Sequence, residues 1–257
     1  MYYLRIDDFR ATLLSTDGGQ PVVEHHNIVP GAFSDTMAEI SSAINAQRLD
    51  VLVSGPTTIV PSAELKETTP ETQDLIFNSC FNFVDNTPRR VFFDDIPALQ
   101  AHLLFAVKDN ICNDIVEQFP TTELHFVSSL TPLVRHFSES YDGTSRFRVY
   151  LNCRDRYVDV FAFDGRQLAV FNSFPVGGGS DVVYYALAFA KTIGFSPAST
   201  PYYVVGDRDK TAEVVTRLRQ FTHKAVVLDI TEELGRRPLT QHTDIPHELV
   251  FHILCAS

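Results

Sequence analysis

The sequence predicts an α/β protein built from two tandem units, each running β-β-β-α-β-α. Two observations carry this: three short strand runs, an amphipathic helix and a short apolar strand occur twice in the same order, and the landmarks of the two copies keep a nearly constant separation. The chain of 257 residues, 44% hydrophobic and 21% charged, is long enough for either copy to bury a core without disulfides or a structural metal.

Taken in order, YYLRID, RATLLST and PVVEHHNI within residues 2–28 read as strands, the last two joined by the turn residues Asp17, Gly18 and Gly19. Phe33, Met37, Ile40 and Ile44 then recur at helical spacing, with Ser34 and Asp35 expected as cap residues. VLVSG (51–55) reads as a buried parallel strand ending in Gly55. After it come VPSAEL, a helix near Pro70 to Phe81, the runs VFFDDI and LLFAVKD, and a strand and helix reaching Tyr141.

The second copy opens at FRVYLNC, YVDVFAF and LAVFNSF, with Asp164 and Gly165 between the last two. Gly177, Gly178, Gly179, Ser180 and Asp181 precede an apolar helix from Val182 to Ile193 that Gly194 stops, and YYVVG ends at Gly206. A helix bearing Val214, Val215, Leu218 and Phe221, the run KAVVLDI and a last helix in IPHELVFHILCA complete the chain.

The copies superpose by subtraction. Asp8 and Asp155 differ by 147 positions, as do the Asp17 and Asp164 turns; Gly31 and Gly177 differ by 146, as do Ser34-Asp35 and Ser180-Asp181, and Gly55 and Gly206 by 151. One turn residue recurs by chance, but five landmarks in one order argue for duplication. The polar stretch Asp142, Gly143, Thr144, Ser145 places the boundary, giving units at 1–145, with an insertion at about 61–101, and 146–257.

Three antiparallel strands followed by alternating helix and strand resemble the ribonuclease H-like unit, and two in tandem resemble the actin-like ATPase architecture. FPVGGGSDVVYYALA is similar to the glycine-rich segment and helix of bacterial division and pilus-assembly actin relatives. VLVSGPTTIVPSAEL, RQLAVFNSFPV and PYYVVGD resemble a Bacteroidetes family of unknown function with an actin-like ATPase fold.

That resemblance implies where a nucleotide would bind: each first hairpin carries Asp followed two positions on by Gly, so that N–H groups close on phosphates while the carboxylate meets magnesium through water. The corresponding turns here are Asp7-Asp8-Phe9-Arg10 and Arg154-Asp155-Arg156-Tyr157, where side chains replace glycine. The candidate cleft is therefore Asp8, Arg10, Asp155, Gly177, Gly178, Gly179, Gly206 and Asp207. Gly177 to Gly179 before a helix could bind an anion at its N-terminus or simply form a turn; Asp8 and Asp155 could hold magnesium or cap their turns.

Other chemistries lack support. The net charge of −11 opposes phosphate backbones and anionic lipid, so no nucleic-acid partner is expected, and Asp7 and Asp8 lack the further acids of a ribonuclease H-like nuclease. His247 and His252 are five apart, one too many for a shared zinc-binding helical face. Cys80, Cys112, Cys153 and Cys255 form no Cys-x-x-Cys pair and are expected to be reduced core thiols. No apolar run spans a membrane and the N-terminus opens as a strand, giving a cytoplasmic expectation. The expected function is a non-enzymatic, actin-like binding or assembly protein with a protein partner, no cofactor and no catalytic or metal residues. The alternative is a weak ATP-binding switch or slow ATPase using magnesium; a nuclease is a distant third.

Overall fold

The computed structural model describes residues 1–16, 20–65, 68–83, 85–206 and 208–255. They form two compact units, one of residues 1–133 with 241–257 and the other of residues 134–240.

In the first unit β1 (Tyr2–Ile6), β2 (Arg10–Ser15) and β3 (Val22–Asn27) make the expected meander; Asp17, Gly18 and Gly19 lie outside the described residues. Helix α1 (Phe33–Ala43) buries Phe33, Met37 and Ile40, as the spacing predicts. Its N-cap is Ala32 rather than Ser34 or Asp35, which sit inside the first turn, and Thr36 Oγ1 donates back to the Ala32 carbonyl at 3.2 Å. Strand β4 (Arg48–Val53) follows.

A separate three-stranded antiparallel sheet then interrupts the repeat. It comprises β5 (Thr57–Pro61), β6 (Arg89–Ile96) and β7 (Ala101–Lys108) in the order β5-β7-β6, with α2 (Ser62–Leu65) and α3 (Pro70–Ser79) between β5 and β6. The Thr69 side chain caps α3 and Pro70 occupies its first turn, where a missing N–H costs nothing. Phe77 of α3 is fully buried beside Leu104 and Ala106 of β7. The inserted sheet thus uses 57–108, a few residues more at each end than the sequence segment at about 61–101. Helix α4 (Asp109–Gln118) and β8 (Glu123–Ser128) return to the main sheet, whose order is β3-β2-β1-β4-β8, and α5 (Thr131–Glu139) follows, its residues from 134 on belonging to the second unit.

The second unit contains β9 (Phe147–Cys153), β10 (Tyr157–Asp164), β11 (Gln167–Pro175), α6 (Gly179–Thr192), β12 (Tyr202–Gly206), α7 (Arg208–Leu218), β13 (Ala225–Val227) and α8 (Ile230–Leu234). A one-turn helix α9 (Pro238–Gln241) and α10 (His247–Cys255) end the chain. KAVVLDI is a strand only over Ala225–Val227, because Asp229 turns the chain by accepting N–H bonds from Thr231 and Glu232 at the start of α8. Phe221 lies beyond α7 and is exposed.

Sheet order in this unit is β11-β10-β9-β12-β13, the same topology as in the first, with two antiparallel and two parallel pairings in matching places. The register makes the duplication quantitative. Tyr2 pairs with Ser15, and Val149, 147 positions on, pairs with Ala162, also 147 positions on. One landmark is corrected: Val53 pairs with Ile6 as Gly206 pairs with Cys153, so Gly206 matches Val53 and not Gly55.

The domain ends also differ from the sequence division at 145/146. Residues 134–145 belong with the second unit, and α10 returns to the first, where Arg5 Nη2 of β1 reaches Glu248 Oε1 at 3.1 Å and His252 Nε2 lies 2.9 Å from Asp50 Oδ2 of β4. Among the described residues, no helix is long and apolar enough to cross a membrane.

Candidate functional site

The β1–β2 and β9–β10 turns are built alike. Asp7 N–H donates to the Arg10 carbonyl at 3.0 Å, and Arg154 N–H, 147 positions on, donates to the Tyr157 carbonyl at 2.9 Å. The side chains at these matching positions diverge. Asp7 Oδ1 accepts from the backbone N–H of Phe9 at 3.0 Å and of Arg10 at 2.8 Å, and its Oδ2 pairs with Arg5 at 2.6 Å. In the second unit the same place holds Arg154, whose Nε and Nη2 engage Asp159 Oδ2 and Oδ1 at 2.8 and 2.7 Å.

Asp159 is fully buried and also accepts from Asn152 Nδ2 at 2.9 Å and from the Ser173 hydroxyl. Three donors on one carboxylate satisfy a charge that would otherwise be too costly to bury. Arg154 is thereby an internal partner, its guanidinium 5.1 Å from the centre of the Tyr157 ring.

Of the candidate residues, Asp8 and Arg10 belong to the first unit and are exposed at its hairpin. Asp7, rather than Asp8, caps that turn. Asp155, the counterpart of Asp8, is exposed and forms an ion pair with Lys210 of α7.

Asp155 and Gly177 are brought together in an open groove of about 500 Å³, lined also by Arg156, Tyr157, Pro175 and Val176. The Val176 N–H bond to the Arg156 carbonyl, 2.9 Å, ties its two sides.

The glycine run meets α6 with Gly178 at the N-cap, in extended backbone (φ 176°), so Ser180 and Asp181 lie inside the helix instead of capping it. The Asp181 carboxylate reaches back and accepts the Gly177 N–H at 2.8 Å. Glu213 of α7 lies so close to Gly179 that a Cβ there would stand 2.8 Å from its carboxylate oxygen. Both groups put negative charge where a helix N-terminus attracts anions, and Asp181 occupies an N–H group that a phosphate would use.

Gly206 is held by geometry: its φ is +136°, and a Cβ would lie 2.4 Å from the Cys153 carbonyl oxygen. It is a glycine because β12 ends against β9. Asp207 lies outside the described residues.

Four polar residues that organise this region, Asn152, Asp159, Ser173 and Glu213, match no sequence motif; strand pairing and helix packing bring them to their partners. The expectation that all four cysteines are core thiols is corrected: Cys112 and Cys153 are buried, with burial pushing their thiols up to about 11 and about 12, whereas Cys80 is exposed and Cys255 half-buried. Among the described residues, no group of three His, Cys, Asp or Glu is placed to hold a metal.

A family model described as "Protein of unknown function (DUF3822)" matches residues 47–225, more than half of the chain. A Bacteroides thetaiotaomicron protein described as having an actin-like ATPase fold and unknown function is similar to the chain at 16% identity and TM-score 0.74, over 88% of this chain and 90% of that one. The "PilM-PilN type IV pilus biogenesis complex" is similar at 13% identity and TM-score 0.53, over 90% of this chain and 88% of that one. No curated protein matches. These likenesses show an actin-like ATPase fold of two ribonuclease H-like lobes.

Proposed function

The chain belongs to the family of proteins of unknown function DUF3822, and we propose that it is a non-enzymatic binding or assembly protein whose actin-like fold has given up its nucleotide chemistry. The observation that carries this reading is Arg154. It occupies the turn position that Asp7 holds in the first unit, and its guanidinium is committed to Asp159. A magnesium-bound phosphate needs a carboxylate and open N–H groups at such a turn. At that matching position this turn offers a paired cation, the carboxylate beside it, Asp155, is engaged by Lys210, and the Arg156 and Tyr157 side chains stand where close backbone approach requires glycine.

Two further features support it. The α6 N-terminus has Asp181 on the Gly177 N–H and Glu213 against Gly179. A structure of the same fold is a complex with a protein partner, the PilM-PilN type IV pilus biogenesis complex. A fold by itself assigns no partner, so the reading rests on the site.

A weak ATP switch is the second reading, favoured by the groove that joins Asp155 and Gly177. Thermal unfolding with and without millimolar magnesium ATP separates the two. A ligand at a hundred times its dissociation constant adds about 2.7 kcal/mol, which moves the midpoint of a chain this size by several degrees. We expect no shift; a magnesium-dependent rise establishes the switch instead.

A further inference from the structure

Strand β11 is the outermost strand of its sheet, and among the described residues β10 is the one strand it pairs with. None of its residues is buried, whereas β10 is buried from Val158 to Phe163. An outer strand carries a row of unpaired N–H and C=O groups that invites another strand, and proteins shield it by shortness, charge or proline.

The other outer strands are shielded in these ways. Glu24 stands in β3, Glu123 in β8, and Arg89, Arg90, Asp94 and Asp95 in β6; β5 is five residues ending in Pro61, and β13 is three. Strand β11 is nine residues long without a charged side chain, and its proline, Pro175, comes last. A bulge leaves Ala169 unpaired, since Ala162 faces Val170 and Phe163 faces Leu168, so the regular run is Val170 to Pro175.

The ladder fixes which groups of that run face outward. Tyr157 gives its carbonyl to Arg154 on the β9 side, so by alternation Asp159 and Phe161 also bond towards β9. Their opposites on β11, Ser173 and Phe171, therefore turn N–H and C=O away from β10. The Ser173 N–H accordingly donates to the Asn172 side chain, at 2.9 Å. Val170 and Phe174 pack on the α6 side of the sheet, and Phe171 lies on the other, its ring 4.9 Å from that of Phe161.

We propose that β11 is a docking edge for β11 of a second copy of this chain, the two strands running antiparallel about Asn172 and joining two five-stranded sheets into one. Phe171 of each copy then exchanges N–H and C=O bonds with Ser173 of the other, and Val170 lies opposite Phe174 as an apolar pair. The pairing buries no charge, and its ends are complementary. Arg166 is exposed and makes no ion pair among the described residues; in this register it reaches the Gly177–Gly178 end of the partner strand, where Asp181 stands at the start of α6. Two-fold symmetry makes that contact twice, which a foreign strand does not. Lys and Arg slightly outnumber Asp and Glu over residues 134–240, so the charge of −11 rests on the first unit and two second units meet with little repulsion. Such pairing is independent of whether the cleft binds ATP.

Sedimentation velocity of the full chain, from micromolar to submillimolar concentration, is expected to show a reversible monomer–dimer equilibrium. Asn172→Lys sets two like charges face to face on the two-fold axis and is expected to weaken the dimer about tenfold or more. Arg166→Glu, at an exposed turn, is expected to weaken it by a smaller factor that disappears at high salt. A chain that stays monomeric throughout overturns the proposal, and so does a dimer undiminished in Asn172→Lys. If Asn172→Lys fails to fold, Arg166→Glu decides, and a dimer unchanged at low salt overturns the proposal. The register has its own readout in Asn172→Cys made in a Cys80→Ser background. Mild oxidation is expected to join the two substituted positions by a disulfide, located by peptide mapping, because directly opposed residues in a non-hydrogen-bonded pair lie within disulfide reach. Absence of that crosslink in the dimer overturns the pairing about Asn172.

Discussion

Arg154 grips Asp159 through one edge of its guanidinium, with Nε 2.8 Å from Oδ2 and Nη2 2.7 Å from Oδ1, and the carboxylate it holds is wholly buried. Arg154→Ala leaves that charge with only Asn152 and Ser173. Removing one member of such a pair costs about 3 kcal/mol, or roughly 6 to 12 °C in the unfolding midpoint for a chain of this length. Arg154→Lys keeps the charge but loses the two-pronged geometry and is expected to fall between Ala and the native protein. Calorimetry of the two variants checks the order; a midpoint unchanged in Arg154→Ala contradicts the assignment.

Gly206 and Gly178 respond oppositely to a side chain. At Gly206 a Cβ meets the Cys153 carbonyl oxygen at 2.4 Å with φ at +136°, so Gly206→Ala is expected to lose at least about 2 kcal/mol. At Gly178 nothing stands within 4 Å and the backbone is extended, and serine is a good N-cap, so Gly178→Ser stays within about 0.5 kcal/mol of the native protein or exceeds it. Urea midpoints of the two variants read the contrast directly.

Glu248 sets the acid limb of stability. Its folded value of about 2 lies below the ordinary 4.5, so its contribution is present above 4.5 and drains away as pH falls towards 2. Glu248→Gln is expected to lower stability at pH 7 and to flatten the decline below pH 4.5, measured as urea midpoints at pH 7, 4 and 3. An unchanged acid slope in that variant refutes the role.

The thiols separate by burial. Cys80 is exposed, whereas Cys112 and Cys153 are buried with their thiols pushed up to about 11 and about 12, leaving little thiolate at neutral pH. A thiol reagent at pH 7.5 is expected to modify Cys80 within minutes and to reach Cys112 and Cys153 only after denaturant is added, as peptide mapping would reveal.

Much of the fold was legible because it is written locally. The alternation in YYLRI and RATLLS, the helical spacing of Phe33, Met37 and Ile40, and the 147-residue offset of the first hairpins all survive in the paired registers. Gly55 and Gly206 misled because a glycine at a strand end records local geometry, which need not recur at equivalent positions. The candidate cleft was legible only as a set of turns: Asp155 and Gly177 do share a groove, but sequence spacing put Asp8 where Asp7 acts and gave no hint that Arg154 was already spoken for.

By itself, then, the sequence determined the two copies, their element order and the departure from glycine at both hairpins, since periodicity and turn chemistry are short-range properties. Tertiary structure decided which polar groups are sheltered and with whom. Arg5 looks like the exposed member of an alternating strand, yet it is buried under a helix 243 residues away, and Asp50 meets His252 across 202 residues. The physical reason is that burying a charge is tolerable only where a partner arrives in three dimensions, and no local pattern encodes that arrival.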